Sequence, residues 1–266
     1  MKNKKLFLVI SALFIIAVIA GVWWYQNFRT TDDSLANVKN KGVLIVGSDI
    51  PYGVMEFFDI DNNPAGIDVD VAQEIAFRLG VKLEFNDYDW DQLFDKVKRG
   101  EIDLALASIT ITPERQKEMR FSDPYFNGGQ VIVTRSANQE ISGVKSLVGK
   151  KIAVQKDTTG YTEAKKYTPE NLISVYLNFE NTNGAGIISD LKNEKFEAII
   201  VDYIQALSMI KTNSGLKIIG VPFTKEDYGI ATRFGNNALM EKINLILEGM
   251  KSDGTLDKIK TKWTKI

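Results

Sequence analysis

Apolar positions come in two patterns along this chain. Residues 6–25, LFLVISALFIIAVIAGVWWY, are apolar but for Ser11 and follow Lys2, Lys4 and Lys5. A run of about 20 such residues crosses a bilayer as a helix, and lysines ahead of it keep the N-terminus inside. Trp23, Trp24 and Tyr25 close the run with rings suited to a membrane–water interface. The expectation is a signal anchor over 1–25, with removal as a signal peptide after Val18-Ile19-Ala20 as the alternative. Residues 26–38 are polar and aperiodic and read as a linker.

Beyond the linker, short apolar runs of strand length alternate with helical periodicity. Val43–Ser48, 81–85 and 102–108 read as buried strands, and Ile67–Leu79 as a helix that Gly80 ends. Residues 151–155, 196–202 and 216–220 repeat the pattern, which predicts parallel sheets with right-handed crossovers. KRGEIDLALAS, ending at Ser108, and KNEKFEAIIVD, ending at Asp202, share an outline of helix, turn and buried strand with a polar tip. Any βα unit shares that outline, so the likeness alone leaves open whether the two tips face each other.

Composition removes whole classes of chemistry. The 266 residues are 44% hydrophobic, enough to bury a full core as one large domain or two modest ones. A net charge of −1, with lysines interleaved among acids, excludes the basic surplus that a nucleic-acid binder needs. There is no histidine and no cysteine, which rules out disulfides, thiol catalysis, Ser-His-Asp chemistry and the usual zinc sites. Asp59, Asp61 and Asn63 have the spacing of a calcium loop, but Pro64 stands where that loop needs glycine and Asp70 where it needs glutamate. A hairpin turn is expected there, and neither metal nor cofactor.

The chemistry concentrates in GEIDLALASITITPERQKEMRFSDPYF, where Ser108, Thr110 and Arg115 follow a buried strand. Open α/β sheets bind ligands just past strand ends, and arginine grips a carboxylate through two parallel N–H bonds. On the residues alone, an exposed arginine of the charged turn PERQKE is the commoner reading of Arg115, and Asp202 reads as the N-cap of the helix YIQALSMI, a role compatible with binding.

Together with GIDVDVAQEIAFRLG before it and YGIATR after it, that stretch resembles the extracellular solute-binding proteins of family 3, which serve polar-amino-acid ABC importers; the likeness spans residues 39–265. The resemblance implies an α/β, type II periplasmic-binding-protein-like fold, each lobe a mostly parallel sheet flanked by helices. Lobe 1 would be 39–125 plus 228–266 and lobe 2 129–224, with hinge crossings at 125–129 and 224–228. It implies a monomeric binding protein, not an enzyme, held outside the cytoplasmic membrane. Such a protein takes a free polar or basic L-amino acid of the glutamine, arginine, lysine or histidine type and presents it to an ABC permease.

By the same resemblance Arg115 clamps the ligand carboxylate and Asp202 takes the ammonium. Ser108 and Thr110 add carbonyl, hydroxyl or N–H contacts, and backbone groups at Thr159 complete the carboxylate site. Tyr52 and Trp90 flank the ligand side chain, and Asp49 points toward its far end. Gln155 replaces a lysine of glutamine-preferring relatives, which leaves Asp49 unbalanced and favours a polar or cationic side chain. The chain departs from the family at Asp157, where glycine is frequent, and at Val54, where proline is usual; it also lacks the cysteine that tethers many relatives to lipid. The alternative is a cyclohexadienyl dehydratase, which shares the architecture and uses a glutamate in the second lobe. Tyr161 stands in that glutamate's place, two residues before Glu163.

Overall fold

The computed structural model describes residues 17–18, 32–177 and 186–264. The expected anchor falls almost wholly outside them, and among the described residues no helix is long and apolar enough to cross a membrane. The linker expected to reach residue 38 is shorter, because Ser34–Lys41 form helix α1. Leu35 and Val38, one helical turn apart, pack into the core and hold it there.

After α1 come β1 (Val43–Ser48), β2 (Phe57–Phe58), β3 (Pro64–Ala65), α2 (Ile67–Leu79), β4 (Lys82–Asp87), α3 (Trp90–Arg99), β5 (Leu104–Ala105), α4 (Pro113–Gln116) and β6 (Met119–Phe121). β7 (Phe126–Gly128) precedes β8 (Gln130–Arg135), β9 (Ile152–Gln155), α5 (Thr159–Ala164), β10 (Ile173–Tyr176), α6 (Ile187–Lys192), β11 (Ala198–Asp202), α7 (Tyr203–Thr212) and β12 (Leu216–Ile219). β13 (Glu226–Tyr228), β14 (Ala231–Arg233), α8 (Asn237–Ser252) and α9 (Thr255–Thr264) complete the chain.

These strands make two five-stranded sheets of matching order, β4-β1-β5-β14-β6 and β10-β9-β11-β8-β12. The fold is α/β, and each sheet is parallel on one side and antiparallel on the other. β1 runs parallel to β4 and β5, whereas β14 opposes β5 and β6. In the second sheet β9 runs parallel to β10 and β11, and β8 opposes β11 and β12. The antiparallel members arise because β14 and β8 enter from the neighbouring sheet instead of from a βα crossover.

That passage is a two-stranded antiparallel ribbon, in which β7 pairs with β13 and Glu226 faces Gly128. Bare backbone is needed here: a Cβ on Gly128 would lie 2.2 Å from the Tyr228 hydroxyl, and one on Gly129 2.4 Å from the Thr224 carbonyl oxygen.

Helix α2 buries Ile67, Val71, Ile75 and Leu79 along one face. Gly80 ends it at φ 73°, with its own N–H on Phe77 O (3.0 Å) and that of Val81 on Ala76 O (3.1 Å). β4 is not the buried strand its composition predicts. It lies at the sheet edge, only one face is covered, and its exposure alternates. The Asp59 loop is the expected hairpin turn: the Asp59 carboxylate accepts from the N–H of Asp61 (2.9 Å) and of Asn63 (2.8 Å) within the β2–β3 connection.

Candidate ligand-binding site

Local structure brings a cation to the end of the first sheet. Pro113 starts α4 with φ already helical, and the Thr112 hydroxyl caps it by accepting from the Arg115 N–H (3.2 Å). The Arg115 guanidinium then turns back into the cleft, donating to the carbonyls of Thr110 (2.9 Å) and, across the cleft, of Asp157 (3.1 Å). Its Cζ lies 5.4 Å from the Trp90 ring centroid and 5.2 Å from that of Phe94. Burial pulls its pKa down, opposed by Glu226, Asp202 and Asp157.

An anion faces it from the second sheet. Asp202 ends β11 and occupies the N-cap position of α7, yet its side chain makes no capping bond. The N-cap role readable from the sequence is therefore not what its carboxylate does. One oxygen accepts from the Tyr52 hydroxyl; the other accepts from the Tyr228 hydroxyl and from Gln130 Nε2 (3.0 Å). Burial, together with Glu226 nearby, pushes its pKa up to about 6 against the pull of those three donors.

Asp49, Tyr52, Trp90, Ser108, Thr110, Arg115, Thr159 and Asp202 line one cavity, so most of the candidates from the sequence converge. The space is narrow: the centre of a water-sized sphere can roam about 20 Å³ of it. Gln155 sits behind this lining. Its Nε2 donates to Asp49 (3.4 Å) and to the Leu177 carbonyl (3.1 Å). Burial pushes Asp49 up to about 7, against the Gln155 bond and with help from Asp87, Asp89 and Asp91. The acid at this end has acids for neighbours and an amide for a partner.

Ser108 has φ 51°, and its N–H donates to the buried Asp68 (2.8 Å), which also receives the Tyr125 hydroxyl (2.7 Å). The Ser108 hydroxyl is buried without a partner among the described residues, as is the Trp90 indole N–H. Thr159 is the first residue of α5, where an N–H has no intrahelical acceptor. Asp157 adopts φ 58°, a left-handed conformation that glycine takes at no steric cost.

Sequence reasoning missed Glu56 and Glu226. Glu56 lines the cavity, fully buried, with no donor to either oxygen among the described residues and its pKa driven up by burial and by Asp68. Glu226, in β13, accepts from the hydroxyls of Thr110 (2.7 Å) and Thr159 (2.8 Å). The signal for both is the same: an acid flanked by residues of strand pattern, in MEFF and KEDYGI.

Two mixed sheets joined by a double crossing, with a small polar cavity where their strand ends meet, define a class of binding protein built to close around its ligand. The chain matches the profile of the bacterial extracellular solute-binding proteins, family 3, over residues 44–266, and it belongs to that family. It is 32% identical over 251 residues to the L-cystine-binding protein TcyJ of Escherichia coli K12, covering 93% of this chain and 91% of that one. It is 31% identical over 276 residues to the ABC transporter glutamine-binding protein GlnH of Bacillus subtilis, covering 98% of each. Among solved structures, an ancestral arginine-binding protein bound to glutamine superposes with a TM-score of 0.77 at 40% identity, over 85% of this chain and 99% of that one. These relatives are binding proteins, not enzymes. Glu163, the glutamate nearest the place that the dehydratase alternative requires, pairs with Lys166 (2.5 Å) and is absent from the cavity lining.

Proposed function

We propose that this chain captures a free polar or basic L-amino acid between two lobes, 39–125 plus 228–266 and 129–224, and presents it to an ABC permease. One observation carries the reading: Arg115 and Asp202, of opposite charge and from opposite halves of the chain, line a single cavity. An α-amino acid carries two fixed charges on one carbon, and this arrangement matches both. Arg115, with the N–H groups of Thr110 and Thr159, holds the carboxylate. Asp202 and the carbonyl and hydroxyl of Ser108 hold the ammonium. Tyr52 and Trp90 flank the side chain, and Asp49 with Gln155 meets its far end.

Charge favours a cationic side chain over an acidic one. Asp49 and Asp202 line the cavity with Arg115 the only cation among its lining residues. Ligand closes the cleft by joining the lobes across the ribbon, and closure strengthens each charge pair by excluding water. The protein works as a monomer outside the cytoplasmic membrane, tethered through its apolar N-terminal run.

A thermal-shift screen of the twenty amino acids on the full chain tests the reading. Arginine, lysine, histidine or glutamine should raise the melting temperature most, with glutamate and aspartate at least about tenfold weaker in affinity. A screen in which no amino acid shifts the melt refutes it.

A further inference from the structure

Glu226 belongs to neither sheet, yet it touches the ligand-facing edge of both. It lies in the ribbon, is 6% exposed, and accepts three hydroxyl donors. Thr110 from the first half and Thr159 from the second both donate to Oε2, at 2.7 and 2.8 Å. Thr224, in the crossing itself, donates to Oε1 at 3.0 Å and accepts from the Gln130 N–H at 2.7 Å. A single oxygen shared by two hydroxyls fixes their separation more tightly than packing does, because hydrogen-bond distances have a narrow optimum.

We infer that Glu226 is a strut: by tying Thr110 to Thr159 it sets the width of the closed cleft, and with it the spot where Arg115 and the two threonine N–H groups converge on a bound carboxylate. The inference rests on reading the cavity as an amino-acid site. Three features favour a strut over a second ligand contact. The hydroxyls donated to it fill the carboxylate's accepting positions toward the cleft. Thr110 has spent its hydroxyl proton on Glu226, which leaves its N–H for the ligand. Thr110 itself is clamped to the ribbon by flanking bonds, Ile111 N–H to Asp227 O (2.8 Å) and Gly229 N–H to Ile109 O (3.0 Å), so the strut is anchored on the first half and grips the second. Its negative charge also balances Arg115 while the cleft holds no carboxylate.

Glutamine at this position preserves the strut. Its carbonyl oxygen takes the two cleft hydroxyls, and its amide donates to the Thr224 oxygen. Alanine removes the strut. The test compares Glu226→Ala and Glu226→Gln in the full chain, by calorimetric titration with the best ligand of the screen. In parallel, spin labels on Lys117→Cys and Asn171→Cys, one in each half of a chain that has no native cysteine, report the separation of the halves with and without ligand. Glu226→Ala should weaken binding about tenfold and widen the label separation, with Glu226→Gln staying within about threefold of the parent. Wild-type affinity and separation in Glu226→Ala would overturn the strut. So would equal losses in both variants, which would show that charge, not bridging geometry, matters. The label distance reads the strut even in a protein that binds no amino acid, a result that would sink the amino-acid reading alone.

Discussion

Laid side by side, the halves of this protein repeat each other down to single hydrogen bonds, and then diverge at the tips of their central strands. Residues 98–108 and 192–202 align as helix end, turn and central strand. Gly100 and Glu194 take the same left-handed turn, at φ 72° and 62°. Ile102 and Phe196 fill the same core position. The carbonyls of Asp103 and Glu197 each accept a threonine hydroxyl from the crossing strand, Thr232 at 2.7 Å and Thr134 at 2.6 Å. Even their carboxylates match, accepting the N–H of Ile45 and of Lys151 at 2.8 Å.

The tips differ. β11 stays in register with β8 through Asp202, so a carboxylate is held rigidly on the ladder. β5 leaves its ladder at Ala105 and bends through Ser108, so backbone groups, not a charge, face the cavity. One scaffold thus offers a fixed anion from one side and a turn of N–H and C=O groups, backed by Arg115, from the other. An amino acid needs that asymmetry, and symmetric halves would not supply it.

The largest test breaks the charge pair. Arg115→Ala should cost about 2–5 kcal/mol in binding, a loss of at least about thirtyfold, because the ligand carboxylate would be buried without its partner. Asp202→Ala should lose comparable affinity at the opposite end. Calorimetry paired with thermal melting on each mutant separates binding from folding, and unchanged affinity in a folded Arg115→Ala protein would end the amino-acid reading.

Next comes pH. Asp49 and Asp202, held near 7 and near 6, bind protons in the folded protein that the unfolded chain has released. Ligand-free stability should therefore rise as pH falls from about 8 to about 5.5, with the unfolded state as the less protonated partner. Affinity should move the opposite way. A bound ammonium favours the ionised acids, so binding should release protons and weaken by up to about tenfold per unit below those values. Titrations in two buffers of different ionisation enthalpy count the protons, and a count of zero at pH 6 contradicts the coupling.

A smaller effect sharpens the far end. Asp49→Asn should cut the preference for lysine or arginine over glutamine by about tenfold, near 1.4 kcal/mol, and leave glutamine binding almost intact. A competition assay reads the ratio directly. The smallest test trades the matching turns. Gly100→Ala should cost about 1 kcal/mol at its left-handed φ, whereas Glu194→Gly should gain about 0.5–1 kcal/mol, since its ion pair with Arg135 is exposed and loose at 3.6 Å. Chemical denaturation of both variants checks the signs.

Much of the fold was legible because periodicity and punctuation agree. β1 and α2 run between the residues that the pattern predicts, and Gly80 ends α2 as its chemistry requires. The antiparallel members were not legible, since β8 and β14 look like any short apolar run and their direction depends on the ribbon crossing. β4 was misjudged because an edge strand under one helix shares the composition of a buried one. At the site, Arg115 and Asp202, which line the cavity, were singled out through ordered motifs, whereas single-residue reasoning favoured a surface charge and a helix cap. Glu226 and Glu56 escaped because an acid inside a strand pattern looks solvent-facing until the fold covers it, Glu226 with hydroxyls from both halves and Glu56 with a second acid, Asp68, from its own half.

Tyr228 gives the ribbon a meaning beyond connection. Its ring fills the space that the missing Cβ of Gly128 vacates, stacks on Phe126 with centroids 5.8 Å apart, and ends in a hydroxyl bonded to Asp202. Twisting the ribbon swings that hydroxyl, so the angle between the halves and the charge environment of Asp202 are one mechanical variable read at two ends. Phenylalanine at 228 would uncouple them, leaving a hinge that bends without retuning its pocket.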